Sequence, residues 1–408
     1  MSEAIQQRMI DFKPHEIPLE DFDISQRELW SEDLKMAYFE RLREEAPVHY
    51  CKDSEFGPYW SVTRYADIME VDSNWQDFSS EPAITIIDPE EDFPLPMFIA
   101  MDPPKHDDQR KTVQGSVAPA NLKNLESTIR GRVQTVLDGL PVGEEFDWVD
   151  RVSIELTTQM LATLFDFPFE DRRKLTRWSD VATGGPETGV VETEEQRREE
   201  LMECLAYFTR LWQERQEQGL SNDFISMLAH GDATKDMSPE EYLGNLILLI
   251  VGGNDTTRNS MTGGVLALNE NPGEYAKLRN NPGVIPNMVS EIIRWQTPLA
   301  LCDGLPTVTM SWVVRPLSKG IKSSCGTSRV IVMSGLLKTL TSLLLIESAR
   351  ANISPLDSAR IAAWGTGWQS CSYEYFGKKS KSASTWSKWS ERSSVCHRTL
   401  CMGTQKCR

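Results

Sequence analysis

Long hydrophobic runs are missing from this 408-residue chain, whose apolar stretches, such as residues 246–251 and 343–346, are short. A helix that crosses a bilayer needs roughly 20 apolar residues, so the sequence predicts no membrane span and a cytoplasmic protein. Positive charge is scarce as well, since 43 lysines and arginines face 60 carboxylates, for a formal net charge of −17. A nucleic-acid-binding surface needs a positive field, so this class of partner is excluded.

Paired cysteines are also missing, because none of the eight cysteines stands in a CxxC pair. Only Cys51 and Cys204 precede residue 300, and the other six follow it. A zinc or disulfide protein built on those six is an alternative, but they lack the spacing that such sites use. The sequence therefore predicts no metal site made by its cysteines.

The composition changes abruptly near residue 300. Only five of the 60 carboxylates lie in residues 301–408, which are rich in serine and basic residues. Residues 1–300 are strongly acidic and long enough for a substantial core. Residues 1–300 and 301–408 therefore differ in charge and composition.

Hydrophobic spacing predicts a helix-rich body with a small sheet near the N-terminus. Residues 33–45 have the spacing of a helix, and residues 48–50 and 59–63 that of a hairpin. Residues 81–104, called the proline-rich loop, contain six prolines and are predicted to be a loop over a ligand site or an ordinary packed loop. Helices are predicted over residues 109–117, 122–137, 154–165, 194–218, 224–228 and 240–268.

The last of these helices carries unusual residues. Ser238 is its predicted N-cap, followed by a proline and by a glutamate that completes a capping box. Residues 246–251 are wholly apolar, as in a helix that crosses a core. Gly252 and Gly253 follow. Each glycine lowers helix stability by about 1 kcal/mol relative to alanine, so we infer that a neighbouring group occupies the space that side chains would fill.

Asp255 and Thr256 come next on the same helix. A buried carboxylate without a partner is costly, so we expect Asp255 to reach solvent, to pair, or to serve chemistry. The structural alternative is a helix end that emerges at the surface, with threonines bonded back to the carbonyl four residues earlier. The residue pattern leaves these possibilities open.

Three ordered motifs resemble those of the cytochromes P450. The run Gly252-Gly-Asn-Asp-Thr256 is similar to the oxygen-binding motif of that family's central helix. Glu291 and Arg294 match its Glu-x-x-Arg pair, and His106 and Arg110 match its propionate-binding His-x-x-x-Arg. By themselves, two cationic side chains one turn apart suit either an anion or a solvated helix start.

The resemblance implies a mainly α cytochrome P450 fold with a small β-sheet, and a monooxygenase that uses heme b, dioxygen and a hydrophobic substrate. Asp255 and Thr256 would deliver protons to dioxygen, while Gly252 and Gly253 would make room for it. The other transferred roles concern the surroundings of the heme: propionate binding by His106 and Arg110, and a structural pair formed by Glu291 and Arg294.

Within the family, residues 101–106, 147–168 and 295–299 look like the branch of terminal alkane and fatty-acid hydroxylases. For that branch the resemblance implies insertion of one oxygen atom into a terminal C–H bond of a linear alkane or fatty acid. Electrons would come from a ferredoxin and its reductase. The substrate contacts are predicted among the apolar residues of the proline-rich loop: Ile86, Phe93, Leu95, Met97 and Phe98.

The family's axial cysteine is missing. A cytochrome P450 holds its heme through a cysteine thiolate, which the family places in a Phe-x-x-Gly-x-x-x-Cys-x-Gly loop after the Glu-x-x-Arg helix. No such loop occurs in residues 301–408. Suitable codons for residues 360–371, read in an offset frame, give His-Arg-Cys-Val-Gly-Asn-Arg-Leu-Ala-Glu-Leu, which resembles the ligand loop. The thiol codon would then lie across Ala362 and Ala363.

Residues 301–306 and 321–333 convert in the same frame, and one base lost after Ala300 accounts for all three stretches. We therefore expect residues 1–300 to be a cytochrome P450 body through the Glu-x-x-Arg helix, and residues 301–408 to be an out-of-frame tail, not a native domain. The chain as written would be inactive because it lacks its cysteine ligand. The alternative is a non-catalytic helical small-molecule-binding protein with a new tail.

Overall fold

The computed structural model describes residues 9–11, 13–83 and 85–298, and the backbone of Cys302–Pro306, Met310–Val314, Ile321–Cys325 and Arg329–Val332. This part of the chain is mainly helical with a small sheet, which confirms the predicted fold class. The offset reading of residues 360–371 lies outside the described residues.

The helices are numbered in chain order within the described part. They are α1 Arg27–Ser31, α2 Lys35–Glu45, α3 Tyr65–Ser73, α4 Lys105–Gln114, α5 Pro119–Asp138, α6 Glu155–Leu164, α7 Arg173–Thr183, α8 Glu194–Glu217, α9 Phe224–His230, α10 Pro239–Glu270, α11 Pro272–Asn280 and α12 Ile285–Gln296. A π-helical turn, Val149–Ile154, leads into α6. No helix of the described residues is long and apolar enough to cross a membrane.

The predicted helices are present with shifted ends, but hydrophobic spacing did not single out α1, α3, α7 and α11. In α7 the large apolar residues are few: Leu175, Trp178 and Val181 stand three apart among polar neighbours. All three are buried in the core. Tertiary packing therefore stabilises a helix whose own apolar stripe is sparse.

The strands form one mixed sheet and one hairpin. They are β1 Val48–Cys51, β2 Tyr59–Val62, β3 Phe78–Ser79, β4 Cys302–Pro306, β5 Met310–Val314, β6 Ile321–Cys325 and β7 Arg329–Val332. The predicted hairpin is β1 antiparallel to β2, with Val48 opposite Val62. The sheet order is β1-β2-β7-β4-β3, and β5 pairs with β6 separately. Two strands of the sheet thus come from beyond residue 300, so the sheet joins both parts of the chain.

Helix α10 lies at the centre of the helical body and packs against α6, α7, α8, α11 and α12. The predicted N-cap is present, because Ser238 Oγ accepts a hydrogen bond from the Glu241 N–H at 3.2 Å, whereas the Glu241 carboxylate binds Gln109 and Lys105 instead of completing a capping box. Near its end, a Cβ on Gly263 would lie 2.1 Å from Gln296 Oε1, so the missing side chain lets α12 approach closely. The residues of α10 are consequently fixed from several sides.

Candidate active site

One side of α10 is only half-buried in the middle of an otherwise buried helix. This side, called the α10 face, has helical spacing and consists of Leu248, Val251, Gly252, Asp255, Thr256 and Asn259. Asn254 and Thr257, between them in sequence, are buried. A Cβ on Gly252 would meet nothing within 4 Å, so open space borders the face.

Thr256 lies on this face with its hydroxyl bonded to the helix. Its Oγ1 donates to the Gly252 carbonyl at 2.8 Å, which leaves the oxygen's lone pairs as acceptors. The back-bond considered from sequence is therefore present. The helix does not end there, however, since α10 continues to Glu270 through buried turns, so a surface-emerging helix end is excluded.

Asp255 is paired. Its Oδ1 accepts a hydrogen bond from Arg258 Nη2, and Arg258 Nη1 donates to Asp180 Oδ1 at 3.1 Å, linking α10 to α7. Burial raises the pKa of Asp255; Asp180 raises it further and Arg258 lowers it. Burial likewise raises the pKa of Asp180. The site thus holds a carboxyl group that keeps a proton more readily than an ordinary aspartate.

Gly252 and Gly253 border different spaces. Gly252 faces the open side of α10, whereas Gly253 lines an apolar cavity of about 20 Å³ between α5 and α6. That cavity is also lined by Leu125, Ile129 and Met160. The two glycines, which the sequence assigned to one role, are therefore separated by the rotation of the helix.

His106 and Arg110 lie on α4, as expected, one turn apart and half-buried. His106 Nδ1 lies 2.7 Å from the Phe98 carbonyl oxygen. A carbonyl only accepts, so Nδ1 is the donor. The Arg110 guanidinium, one turn further along α4, is the charged group of the pair that can bind an anion.

Glu291 and Arg294 form a bidentate ion pair on α12. Both hydrogen bonds are 2.7 Å long, and the side chains are 10% and 8% exposed. Both charged groups are thus largely removed from solvent. In such a buried position each charge is stable only beside the opposite charge. It lies on the helix that packs against the second half of α10.

The five predicted substrate contacts divide between two regions. Phe93 and Leu95 pack at the edge of the helical core that contains Phe98, and Met97 is half-buried beside it. Ile86 instead packs against the N-terminal hydrophobic cluster around Phe22 and Tyr59. The structure therefore groups Phe93, Leu95 and Phe98 in one core, leaves Met97 half-buried next to Phe98 in the chain, and places Ile86 apart from them.

Similarity to known proteins follows the same architecture, although no protein-family model matches the chain. The solved structure of a cytochrome P450-153 from Novosphingobium aromaticivorans is 38% identical, with a TM-score of 0.76. The similarity covers 88% of this chain and 92% of that one. The chain belongs to the cytochrome P450 family. It is accordingly a monooxygenase by family, an oxidoreductase that uses dioxygen.

Two curated relatives of this cytochrome P450 are more distant. Linalool 8-monooxygenase from Pseudomonas putida is 28% identical over 289 residues, which are 68% of this chain and 71% of that protein. A methyl-branched lipid omega-hydroxylase from Mycobacterium tuberculosis is 27% identical over 314 residues, or 73% of each chain. Both names describe monooxygenation of hydrophobic molecules.

The family implies heme. Among the described residues, His106 and Arg110 suit a heme propionate, but no cysteine is placed to be the axial ligand. The α10 face borders open space at Gly252, and His106 of α4 is bonded to Phe98, which Asn245 of α10 also holds. Among residues whose side chains are described, the cysteines are Cys51 and Cys204, both buried and neither on the α10 face. Burial raises the pKa of Cys51 to about 12 and that of Cys204 well above its ordinary value, so neither is a ready thiolate. The described part also contains no group of three or more acidic, histidine or cysteine side chains placed to hold a metal ion.

Sequence reasoning missed Asp180, Arg258 and Asn245. Arg258 had a readable signal, because it stands three residues after Asp255 on a buried helix. Asn245 also had a readable signal, because it is a polar residue that interrupts an apolar run. The structure buries it fully. Asp180 had none, since only the packing of α7 on α10 brings it to Arg258.

Proposed function

We propose that this cytochrome P450 inserts one oxygen atom into a terminal C–H bond of a linear alkane or fatty acid. The observation that carries the proposal is the open side of α10 at Gly252, whose neighbours Leu248 and Val251 pack against the same hydrophobic core as Phe93 and Leu95 of the proline-rich loop. Similarity to a cytochrome P450-153 and to a lipid omega-hydroxylase supports it. An apolar loop favours an extended hydrocarbon, because burying its CH₂ groups contributes about 0.8 kcal/mol each.

In this proposal, different residues of the chain have different roles. Phe93, Leu95 and Met97 exclude water and orient the hydrocarbon. Asp255, whose carboxyl is paired with Arg258 and whose pKa is raised by burial, would deliver protons together with the adjacent Thr256. Heme, when bound, supplies the activation of dioxygen.

The remaining charged residues hold the cofactor and the scaffold. His106 and Arg110 would bind a heme propionate, and the buried pair of Glu291 and Arg294 would be structural. A ferredoxin and its reductase would supply electrons one at a time, in the cytoplasm.

We further propose that residues 301–408 are read out of frame and that the chain as written lacks its thiolate. Three stretches of the tail convert to family-like sequence in one offset frame, which supports this. Neither Cys51 nor Cys204 is placed to substitute for the ligand.

Both proposals can be tested with two genes. The 408-residue chain and a version with one base restored after the Ala300 codon are purified and reduced under carbon monoxide. We expect a thiolate-type Soret band from the restored protein alone; the same band from the 408-residue chain would overturn the frame proposal. The restored protein, with a surrogate ferredoxin and reductase, should convert n-alkanes or fatty acids to terminal alcohols. Products hydroxylated only at internal carbons would overturn the proposed regiochemistry.

A further inference from the structure

The proline-rich loop is fixed to the helical body at Phe98. The Phe98 N–H donates to Asn245 Oδ1 of α10 at 2.8 Å, and the Phe98 carbonyl accepts from His106 Nδ1 of α4 at 2.7 Å. Both backbone polar groups of one loop residue are thus used by side chains from two different helices. The backbone position of Phe98 is therefore determined by the core.

Asn245 is itself held in one orientation. It is 0% exposed, and its Nδ2 donates to Gln109 Oε1 at 3.3 Å. Gln109 in turn donates from Nε2 to Glu241 Oε1. Reversing the Asn245 amide would place donor against donor at Phe98 and acceptor against acceptor at Gln109. Its oxygen therefore points at the loop.

The adjacent residue, Gly244, sets how closely the loop approaches. A Cβ on Gly244 would lie 2.1 Å from the Pro96 carbonyl oxygen and 2.8 Å from its carbon. These are backbone atoms, which cannot turn aside as a side chain can. Any larger residue at Gly244 would displace residues 96–98.

This attachment lies in line with the α10 face. Asn245 precedes Gly252 by two helical turns, so the two share one side of the helix, about 10 Å apart along its axis. Phe98 is thus bonded to α10 about two helical turns before Gly252 of the face. A molecule that lies along the face toward Thr256 would meet the segment that Asn245 holds.

We propose that Asn245 is a positioning residue for the reaction: by holding Phe98 it sets how far a linear apolar substrate reaches along α10 toward Thr256. The inference rests on the proposed function for its substrate, and on the hydrogen bonds of Asn245 for its geometry. The position of the loop therefore determines which carbon atom of the substrate lies at the reaction site.

Three variants and a control test this. Asn245→Leu removes the acceptor, Asn245→Asp keeps an acceptor at the same position, and Gly244→Ala moves Pro96 without touching Asn245. Asn254→Leu is the control for hydrogen exchange only: it removes another fully buried amide of α10, which accepts a hydrogen bond from Thr157 Oγ1 at 2.9 Å on the opposite side of the helix and donates to Asp255 Oδ1 at 3.4 Å.

The first readout is hydrogen exchange of the Phe98 amide in the 408-residue chain. Loss of one buried hydrogen bond predicts roughly tenfold faster exchange in Asn245→Leu, but not in Asn245→Asp or Asn254→Leu. Gly244→Ala should also accelerate it. Unchanged exchange in Asn245→Leu would overturn the inference.

The second readout is the product distribution of the frame-restored enzyme. Asn245→Leu and Gly244→Ala should shift hydroxylation from the terminal to internal carbons, and Asn245→Asp should restore the terminal product. Faster exchange with an unaltered product ratio would reduce Asn245 to a structural role. If the restored enzyme oxidised no linear substrate while the exchange pattern held, the proposed function would fail and the attachment of the loop would stand.

Discussion

At the scale of single residues, buried charges in this protein are defined by their partners. Sequence left Asp255 three possibilities, and the structure realises pairing, through Arg258 to Asp180. Asp180 lies 75 residues away in sequence, so no local pattern could have revealed it. The proton affinity of Asp255 is consequently a property of the contact between α7 and α10.

The raised pKa of Asp255 predicts a pH-dependent effect of Asp255→Asn. A carboxyl group whose pKa is raised by folding contributes stability that is fully present below its unfolded pKa of about 3.9 and is lost as pH rises through the folded value. Asparagine does not titrate. The free energy of unfolding of the variant, relative to the wild type, should therefore increase from about pH 4 to 7 in urea titrations.

Asp232→Asn provides the control with the opposite sign. The hydrogen bond from Lys235 lowers the pKa of exposed Asp232, so its contribution is present at neutral pH and lost as pH falls. The relative stability of that variant should fall, slightly, as pH rises. A fall of the same kind for Asp255→Asn would contradict the assigned pKa direction.

The Glu291–Arg294 pair predicts a large loss of stability in Glu291→Gln. The substitution leaves a guanidinium that is 8% exposed without its carboxylate, which costs about 3–5 kcal/mol in the free energy of unfolding. Urea unfolding measures the loss. The matched control is Glu126→Gln, in an exposed pair with Arg130 at 3.2 Å, where about 0.5 kcal/mol or less is expected. Equal losses would show that burial of the first pair does not matter.

At the scale of elements, the proline-rich loop is attached to the helices at two points, one buried and one near the surface. Phe98 is bound inside the protein, whereas Glu90 is bound near the surface by Arg197 at 2.9 Å and Arg198 at 2.7 Å on α8. The six prolines predicted a loop, and this is confirmed, but neither attachment was predictable. Each joins residues far apart in sequence through the packing of helices.

Glu90→Gln should loosen the outer part of the loop. The amide keeps one acceptor oxygen but turns an NH2 donor toward an arginine and loses the charge that two arginines share, so limited proteolysis within residues 85–95 should become faster. Salt should accelerate cleavage of the wild type more than that of the variant, because exposed ion pairs are screened.

The control for this change is Glu203→Gln, which breaks an exposed pair between α8 and Lys174 of α7, 2.7 Å long, without touching the loop. Cleavage of the loop should be unaffected there. Identical loop cleavage rates in wild type and Glu90→Gln would mean that the arginines do not hold it.

At the scale of the whole molecule, the sheet connects two parts of the chain that differ in composition. Strands β4 and β7 come from beyond residue 300 and pair with β3 and β2. Ladder pairing uses backbone N–H and C=O groups, which nearly every residue carries, so it places few demands on side chains. The change in composition at residue 300 therefore does not mark a separate unit of the sheet.

Restoring the frame should stabilise the whole protein. Side chains selected for packing agree with the fold at every level, whereas those of an offset frame do not. Thermal unfolding of heme-free preparations, followed by circular dichroism, should give a higher Tm for the restored chain, by roughly 1 °C for each kcal/mol gained in a chain of this length. An equal or lower Tm would mean that the present tail is compatible with the fold.

The sequence by itself determined the helix-rich class, the N-terminal hairpin and the start of α10, because hydrophobic period and capping act within a few residues. The motifs around Asp255, Glu291 and His106 also pointed to the family. Tertiary structure alone decided that Gly252 and Gly253 face different spaces, that Asp255 is bound through Arg258 to Asp180, and that Asn245 holds the loop. These are contacts between distant segments, whose geometry depends on how whole helices pack.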